Sequence, residues 1–490
     1  MQYDLVITGG HVIDPARGVD RITSVAVAND KIAAVGDDID ATQATRVLDA
    51  SGRYVTPGWF DMHVHAYAHL AFSHPDTIGV LQGVTTMVDA GGAGAWTYDD
   101  SRQYWEGRCK TDLYAFVMYN AAGIFTGTQR VLDVETNSDL DVPIDDWKDV
   151  IGRNQDRIKM VKTAAITRLG FTPIKAAQAI SDATGVPIYM HIGDIGAIGK
   201  QPKQQTIITR DVLDQMRSGD IVTHVYSGNW GNLLDDDGKI YPEAIAARKR
   251  GVLFDVGFGG LNFGFAAYDQ LHRQDFLTDI ISSDLQGKNI TGPAHSLAHV
   301  MSLFLNFGLS LNEVIERVTI NPAKAQRLDD MIGSLTPGYP ARITIFGLEE
   351  GDYTFRDCMG DKRDGNTMIV PTQCVMDGEL IECDFEAGLA QENWSFMPAR
   401  DDVARNSGAL DDEQRDFAHA LASDYANADW SRGRDLHSAF KGRVEAADID
   451  TRKASDAVYD LLLESRFCVP VGWLLTVLDK DDALHRLASA

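Results

Sequence analysis

Histidines two apart on a strand point to the same face, and "FDMHVHAYAHL" (residues 60–70) spaces His63 and His65 in that way, with Asp61 two residues before them. Neutral imidazoles converging in a protected place suit a metal ion. A polar loop that happens to hold histidines is the equal alternative for this fragment alone, and it is the reading for His69 and His74. Further along, Lys159 sits in "RIKMVK", His191 in "YMHIGD", His224 in "VTHVYSG" and Asp284 in "ISSDLQG". Each alone has an ordinary explanation, such as a satisfied core histidine, a solvated lysine or a helix-capping aspartate. Their shared position at the ends of apolar runs is what favours a metal site.

The chemistry also explains why a lysine belongs in the set. Two borderline cations need about four or five nitrogen and oxygen ligands each, with room for water and substrate. Four histidines and one carboxylate fall short, and adjacent dications need an anionic bridge. A buried lysine is neutralised by desolvation, and a neutral amine takes up carbon dioxide as a carbamate with two bridging oxygens. Lys159 and Lys162 compete for this role. Strand alternation puts residues three apart on opposite faces. Lys159 lies between Ile158 and Met160, whereas Lys162 is followed by "TAAITRLG", which reads as the loop leaving the strand. Lys159 is therefore the expected carboxylated bridge, and Lys162 the hydrated one.

The elements that must position these residues follow from the texture of the chain. Residues 56–334 alternate apolar strand-like runs with helical stretches: "YVTPGWFD", "VTTMVDA", "LYAFVMYN", "RIKMVK", "VPIYMHI", "DIVTHVY", "VLFDVG" and "DIISSD". Eight strands alternating with helices match an α/β (β/α)8 TIM barrel and its length of roughly 250 residues. Sites on that fold are built at the C-terminal ends of the strands, where the six residues fall. A doubly wound open sheet is the runner-up, without a Gly-rich phosphate loop to support it. "GGAGAW" (91–96) reads as a turn. Short alternating strands at 1–55 and 335–395 predict a small β-sandwich domain built from both flanks of the barrel. Residues 396–490 have helical spacing with acidic N-terminal ends and predict an added helical segment for packing or assembly.

Composition narrows the partners. The 490 residues carry a formal charge of −26, which argues against nucleic acid. The longest late apolar run, "FCVPVGWLLTVL", is too short to span a bilayer. The opening "MQYDLVITGG" lacks the basic and apolar regions of a signal peptide. The five scattered cysteines show no CxxC spacing and read as free thiols in a reducing compartment. A cytoplasmic protein without nucleic-acid or membrane partners is expected, acting on a small molecule and forming a homo-oligomer.

With these residues assembled, the chain resembles the amidohydrolase superfamily of metal-dependent hydrolases. "TPGWFDMHVH" matches its P-G-x-x-D-x-H-x-H signature through Pro57, Gly58, Asp61, His63 and His65. The similarity spans about residues 3–385 and is nearest the dihydroorotase-like and amidohydrolase/deacetylase branch. That resemblance implies two divalent metal ions, usually zinc. His63, His65 and Asp284 would hold one, His191 and His224 the other, and carboxylated Lys159 would bridge them. It further implies that a hydroxide between the metals attacks a polarised carbonyl, with Asp284 moving the proton to the leaving group. Cleavage of an amide or ester of a small carboxylated molecule is the expected reaction. A cyclic-amide hydrolase of the dihydroorotase or hydantoinase type is the alternative, and a non-catalytic assembly protein on the same fold the competing class.

Two positions depart from the branch: Phe258 replaces a strand-seven histidine, and Arg342 replaces an aspartate and is expected to be structural. Weaker substrate candidates are Arg168, which could pair with a carboxylate, and Tyr226, Asn229 and Lys288, with Trp230 and Asn289, on loops expected at the barrel mouth.

Overall fold

The computed structural model describes residues 2–66, 75–121, 123, 144–194, 208–286, 289–385, 410–430, 433–462, 471, 475 and 478–490. Seven parallel strands lie side by side in chain order: Trp59–Val64, Val84–Ala90, Asp112–Met118, Ile158–Ala165, Ile188–Ile192, Ile221–Thr223 and Leu253–Asp255. Parallel neighbours need a crossover, and helices supply it. Thr172–Thr184, for example, carries Pro173 in its first turn and ends at Gly185 in the left-handed conformation.

Residues 280–285 close the ring with backbone hydrogen bonds, not with a full strand. Val256 N–H donates to Ile280 O (3.1 Å) and Gly259 N–H to Ser283 O (2.9 Å). On the other side Asp284 N–H donates to His63 O (2.7 Å) and His65 N–H to Leu285 O (2.9 Å). The result is the (β/α)8 barrel. Phe60, Met62, Val88, Phe116, Met160 and Ile221 pack within one buried cluster that fills it.

The flanking strands form two sheets. Lys31–Gly36, Ser24–Ala28, Tyr3–Thr8 and Ala44–Asp49 make one. Glu379–Glu382, Lys362–Met376, Ile343–Arg356, Tyr54–Pro57, His11–Asp14 and Val19–Ile22 make the other, joining both ends of the chain. Leu5, Val25 and Val27 from the first sheet share a core with Val12, Val55, Ile343 and Val375 from the second, which makes a sandwich.

The run "YVTPGWFD" is thus two strands. It breaks at Gly58, where a β-carbon would overlap the Thr85 side chain. Tyr54–Pro57 belongs to the sandwich, and only Trp59–Val64 enters the barrel.

Arg342 is largely covered at the junction of the two units. It donates to Asp112 Oδ2 (2.7 Å) and Asp377 Oδ1 (3.2 Å), and Arg157 also pairs with Asp112. Its role in the structure is a structural one. The hairpin of Ile343–Arg356 and Lys362–Met376 reaches the loop after the seventh barrel strand. There Asp357 Oδ2 accepts Phe265 N–H (2.8 Å) and Cys358 N–H donates to Phe263 O (2.9 Å).

Near the C-terminal end, Asp412–Tyr425, Gly433–Ala447, Thr451–Leu462 and Lys480–Ala488 are helices. Phe417, Leu421, Tyr425, Leu436, Phe440, Val458 and Leu487 on these helices are buried. Among the described residues no helix is long and apolar enough to cross a membrane.

Candidate metal centre

The first strand ends in His63 and His65, side by side on one face with ring centroids 5.5 Å apart. Asp61, two residues earlier, stitches this strand to the eighth position: its carboxylate accepts Ser283 N–H (3.0 Å) and the Ser283 hydroxyl. Burial raises the Asp61 acid to about 7, against those hydrogen bonds. Asp61 therefore anchors the site and does not face into it.

His224 and Asp284, at the ends of the sixth and eighth barrel positions, both have positive φ, 70° and 47°. That conformation costs a non-glycine residue about 1–2 kcal/mol and turns the chain sharply at a strand end. Asp284 Oδ1 then lies 3.3 Å from His63 Nε2 and 3.1 Å from His65 Nε2. Gly259 makes room for this carboxylate, because a β-carbon there would fall 2.5 Å from Asp284 Oδ2. Asn262 and Gln286 donate their amide N–H groups to Asp284 Oδ2 (3.2 Å) and Oδ1 (3.1 Å). His191 stacks edge-on against His224 at 4.3 Å between centroids. Ligand atoms of His63, His224 and Asp284 all lie within 4.8 Å of one another.

The structure moves the lysine. Lys159 lies toward the start of its strand, with Nζ donating to Gln155 O (3.4 Å) and 5.2 Å above the Tyr114 ring, away from the histidines. Lys162 takes the expected place: it is buried, and its Nζ is 2.7 Å from His63 Nε2. The reason is the length of the strand. Ile158–Ala165 continues through "TAA", so its C-terminal end lies beyond Lys162, and Met160 and Lys162 share the inward face. Burial lowers the Lys162 amine to about 8, with Asp284 and Asp89 opposing.

Electrostatics and hydrogen bonding prepare the cluster for a cation. Burial holds His63 and His191 well below the ordinary histidine range and takes His224 to about 4, so all three are neutral at pH 7. Burial works against the Asp284 carboxylate, but the imidazoles of His63 and His65 outweigh it and hold the acid well below its usual range. His224 Nδ1–H donates to Gly257 O (2.6 Å), which leaves Nε2 as its lone-pair nitrogen. His191 Nε2–H donates to Gly193 O (3.1 Å), which leaves Nδ1. Neutral imidazole lone pairs, a carboxylate and a depressed lysine fit borderline divalent ions such as zinc.

The weaker candidates fare differently. Tyr226 is in the core, not at the mouth. Its ring packs on Phe263, Tyr268 and Phe304, and its hydroxyl accepts Thr278 N–H (3.1 Å), because the chain turns inward after His224. Asn229 is also buried and donates to Leu261 O (2.8 Å), bracing one loop against the next. Phe258 stacks on Phe263 at 4.6 Å and is fully buried. The Arg168 side chain, Lys288, His69 and His74 lie outside the described residues. Sequence reasoning passed over Tyr189, Asp255, Asn262 and Gln286. Strand alternation offered one signal: Tyr189 is two residues before His191 and shares its face.

The comparisons with known proteins concern the family and the fold. The family model described as the amidohydrolase family matches residues 54–373. A deacetylase of Agrobacterium fabrum is 29% identical over 390 residues, covering 78% of this chain and 92% of the relative. Among solved structures, an adenine deaminase superposes with a TM-score of 0.69 at 29% identity, covering 78% of this chain and all of the other. A dihydroorotase superposes with a TM-score of 0.66 at 28% identity, covering 77% of this chain and 97% of the other.

Proposed function

The chain belongs to the amidohydrolase family, and on that premise we propose that it is a binuclear metal-dependent hydrolase of an amide or ester bond in a small carboxylated molecule. The observation that carries this reading is the buried convergence of His63, Lys162, His224 and Asp284 from the first, fourth, sixth and eighth barrel positions. His63, His65 and Asp284 would hold one divalent ion, His191 and His224 the other, and carboxylated Lys162 would join them. When bound, zinc ions supply an acidified water and a polarised carbonyl.

The chain's own residues do the rest. Asp284 is ionised and is aimed by the Asn262 and Gln286 amides, so it can take a proton at a carboxylate oxygen and release it to the leaving group. Bulk water has little access to these groups, because His63, His65, His191, His224 and Asp284 are all buried. Lys162 is neutral in an appreciable fraction near pH 8 and can form the carbamate.

The deacetylase relative favours an acyl amide or acyl ester as substrate. The likeness to a dihydroorotase structure supports a cyclic amide as the second reading. Both reactions begin with water attacking a trigonal carbon bonded to a heteroatom. Screening the zinc-loaded protein with N-acyl amino acids, acylated hydroxy acids and cyclic imides tests this directly. Turnover of an acyl compound supports the first reading, turnover of cyclic imides alone supports the second, and turnover of none opposes both.

A further inference from the structure

His191 and His224 have their tautomers set by backbone carbonyls, which can only accept a hydrogen bond. His63 is different. Its Nδ1 faces two hydroxyls, Tyr189 at 2.9 Å and Thr223 at 3.4 Å, and a hydroxyl can donate or accept. Left alone, either partner could donate to Nδ1. That would place the ring proton on Nε2, the nitrogen that faces Lys162 and Asp284.

Asp255 removes the ambiguity. Its Oδ2 accepts Tyr189 OH (2.6 Å), Thr223 OH (2.8 Å) and Ser282 OH (2.7 Å). Its Oδ1 has no hydrogen-bond partner among the described residues, so these three hydroxyls meet at one oxygen. Each hydroxyl has a single proton. With the Tyr189 and Thr223 protons turned to Asp255, only oxygen lone pairs face His63 Nδ1. The four residues come from the fifth, sixth, seventh and eighth barrel positions and form a layer directly beneath the ligand cluster. All four are buried, and the Tyr189 ring is held against Phe116 at 4.7 Å.

We infer that Asp255, acting through Tyr189, is a positioning residue that fixes His63 as the Nδ1–H tautomer and keeps Nε2 free for a metal before any metal arrives. The affinity consequence rests on the metal reading proposed above. The tautomer itself does not. A carboxylate acting on a ligand imidazole through an intervening group tunes both its orientation and its basicity, and losing such a partner typically costs 10–100-fold in metal affinity.

The test uses the full chain in two measurements. Long-range 15N–1H correlation on the metal-free, histidine-labelled protein reads the tautomer, with His63 assigned by the signal missing in His63→Asn. Competitive chelation reads zinc affinity. The expected result is Nδ1–H in the wild type, loss of that fixed form in Asp255→Asn, and zinc binding weakened about 10–100-fold in both Asp255→Asn and Tyr189→Phe. Tyr189→Phe removes only the hydroxyl and keeps the packing, so it carries the test if Asp255→Asn fails to fold. His63 held as Nδ1–H with Asp255 neutralised, or Tyr189→Phe binding zinc as the wild type does, would overturn the inference. If the tautomer shifts as expected but the wild type binds no zinc, the metal reading fails and the positioning role stands.

Discussion

Lys162 Nζ lies 2.7 Å from His63 Nε2 inside the barrel, so the two nitrogens share at most one proton between them. Three residues earlier, Lys159 lies on the far side of the strand and pairs with a backbone carbonyl. The two lysines should therefore respond to substitution in opposite ways. Lys162→Ala should lose the paired metals and lower turnover at least about 100-fold, and added short-chain carboxylic acids should restore part of it. Lys159→Ala should stay within about two-fold of wild type, since the worth of an exposed lysine contact is small. Metal analysis of both variants, with and without added acid, checks this. The reverse pattern would return the bridge to Lys159.

Formation of the carbamate should depend on pH in a definite direction. The amine reacts only when neutral, and burial brings Lys162 from its ordinary value down to about 8. The neutral fraction rises as pH rises through that value. Reconstitution of metal-free protein with zinc should therefore quicken from pH 7 to pH 9 at a fixed concentration of dissolved carbon dioxide. A rate that is flat or falls over this range would show that the amine is not the group being captured.

Much of the site was legible in the sequence because its members are rare residue types at the ends of apolar runs. His63, His65, His191, His224 and Asp284 converge as their spacing predicts. The lysine was misassigned because strand ends are poorly marked: "TAA" lacks the bulk that usually signals a strand, yet it continues the fourth one. The Tyr189–Asp255 pairing had no sequence signal beyond alternation, since the two residues are 66 apart and meet only when the barrel closes. Tyr226 was misplaced for a related reason. The positive φ at His224 turns the chain inward, and nothing in "THVYSG" announces such a turn.

Asp284→Asn should preserve the fold while cutting turnover by about 100- to 10,000-fold, because general-base action and one ligand are both impaired. Circular dichroism should be unchanged. Near-normal turnover in this variant would show that another group handles the proton.

Arg342→Met should act on stability and not on chemistry. The arginine is largely buried against Asp112, with half-exposed Asp377 on its other side, and removing one partner of a buried ion pair costs about 3–5 kcal/mol. Arg157 remains beside Asp112 and should soften the loss toward the lower end. Denaturant unfolding should show the shift, with metal content per folded chain unchanged. A loss of metal without a loss of stability would place Arg342 in the functional machinery instead.

Metal content measured together with chelation decides whether this barrel works through metal. The protein should carry about two divalent ions per chain, lose hydrolysis on exhaustive chelation, and recover it when zinc is restored with dissolved carbon dioxide. Full hydrolytic activity in protein stripped of metal would contradict it.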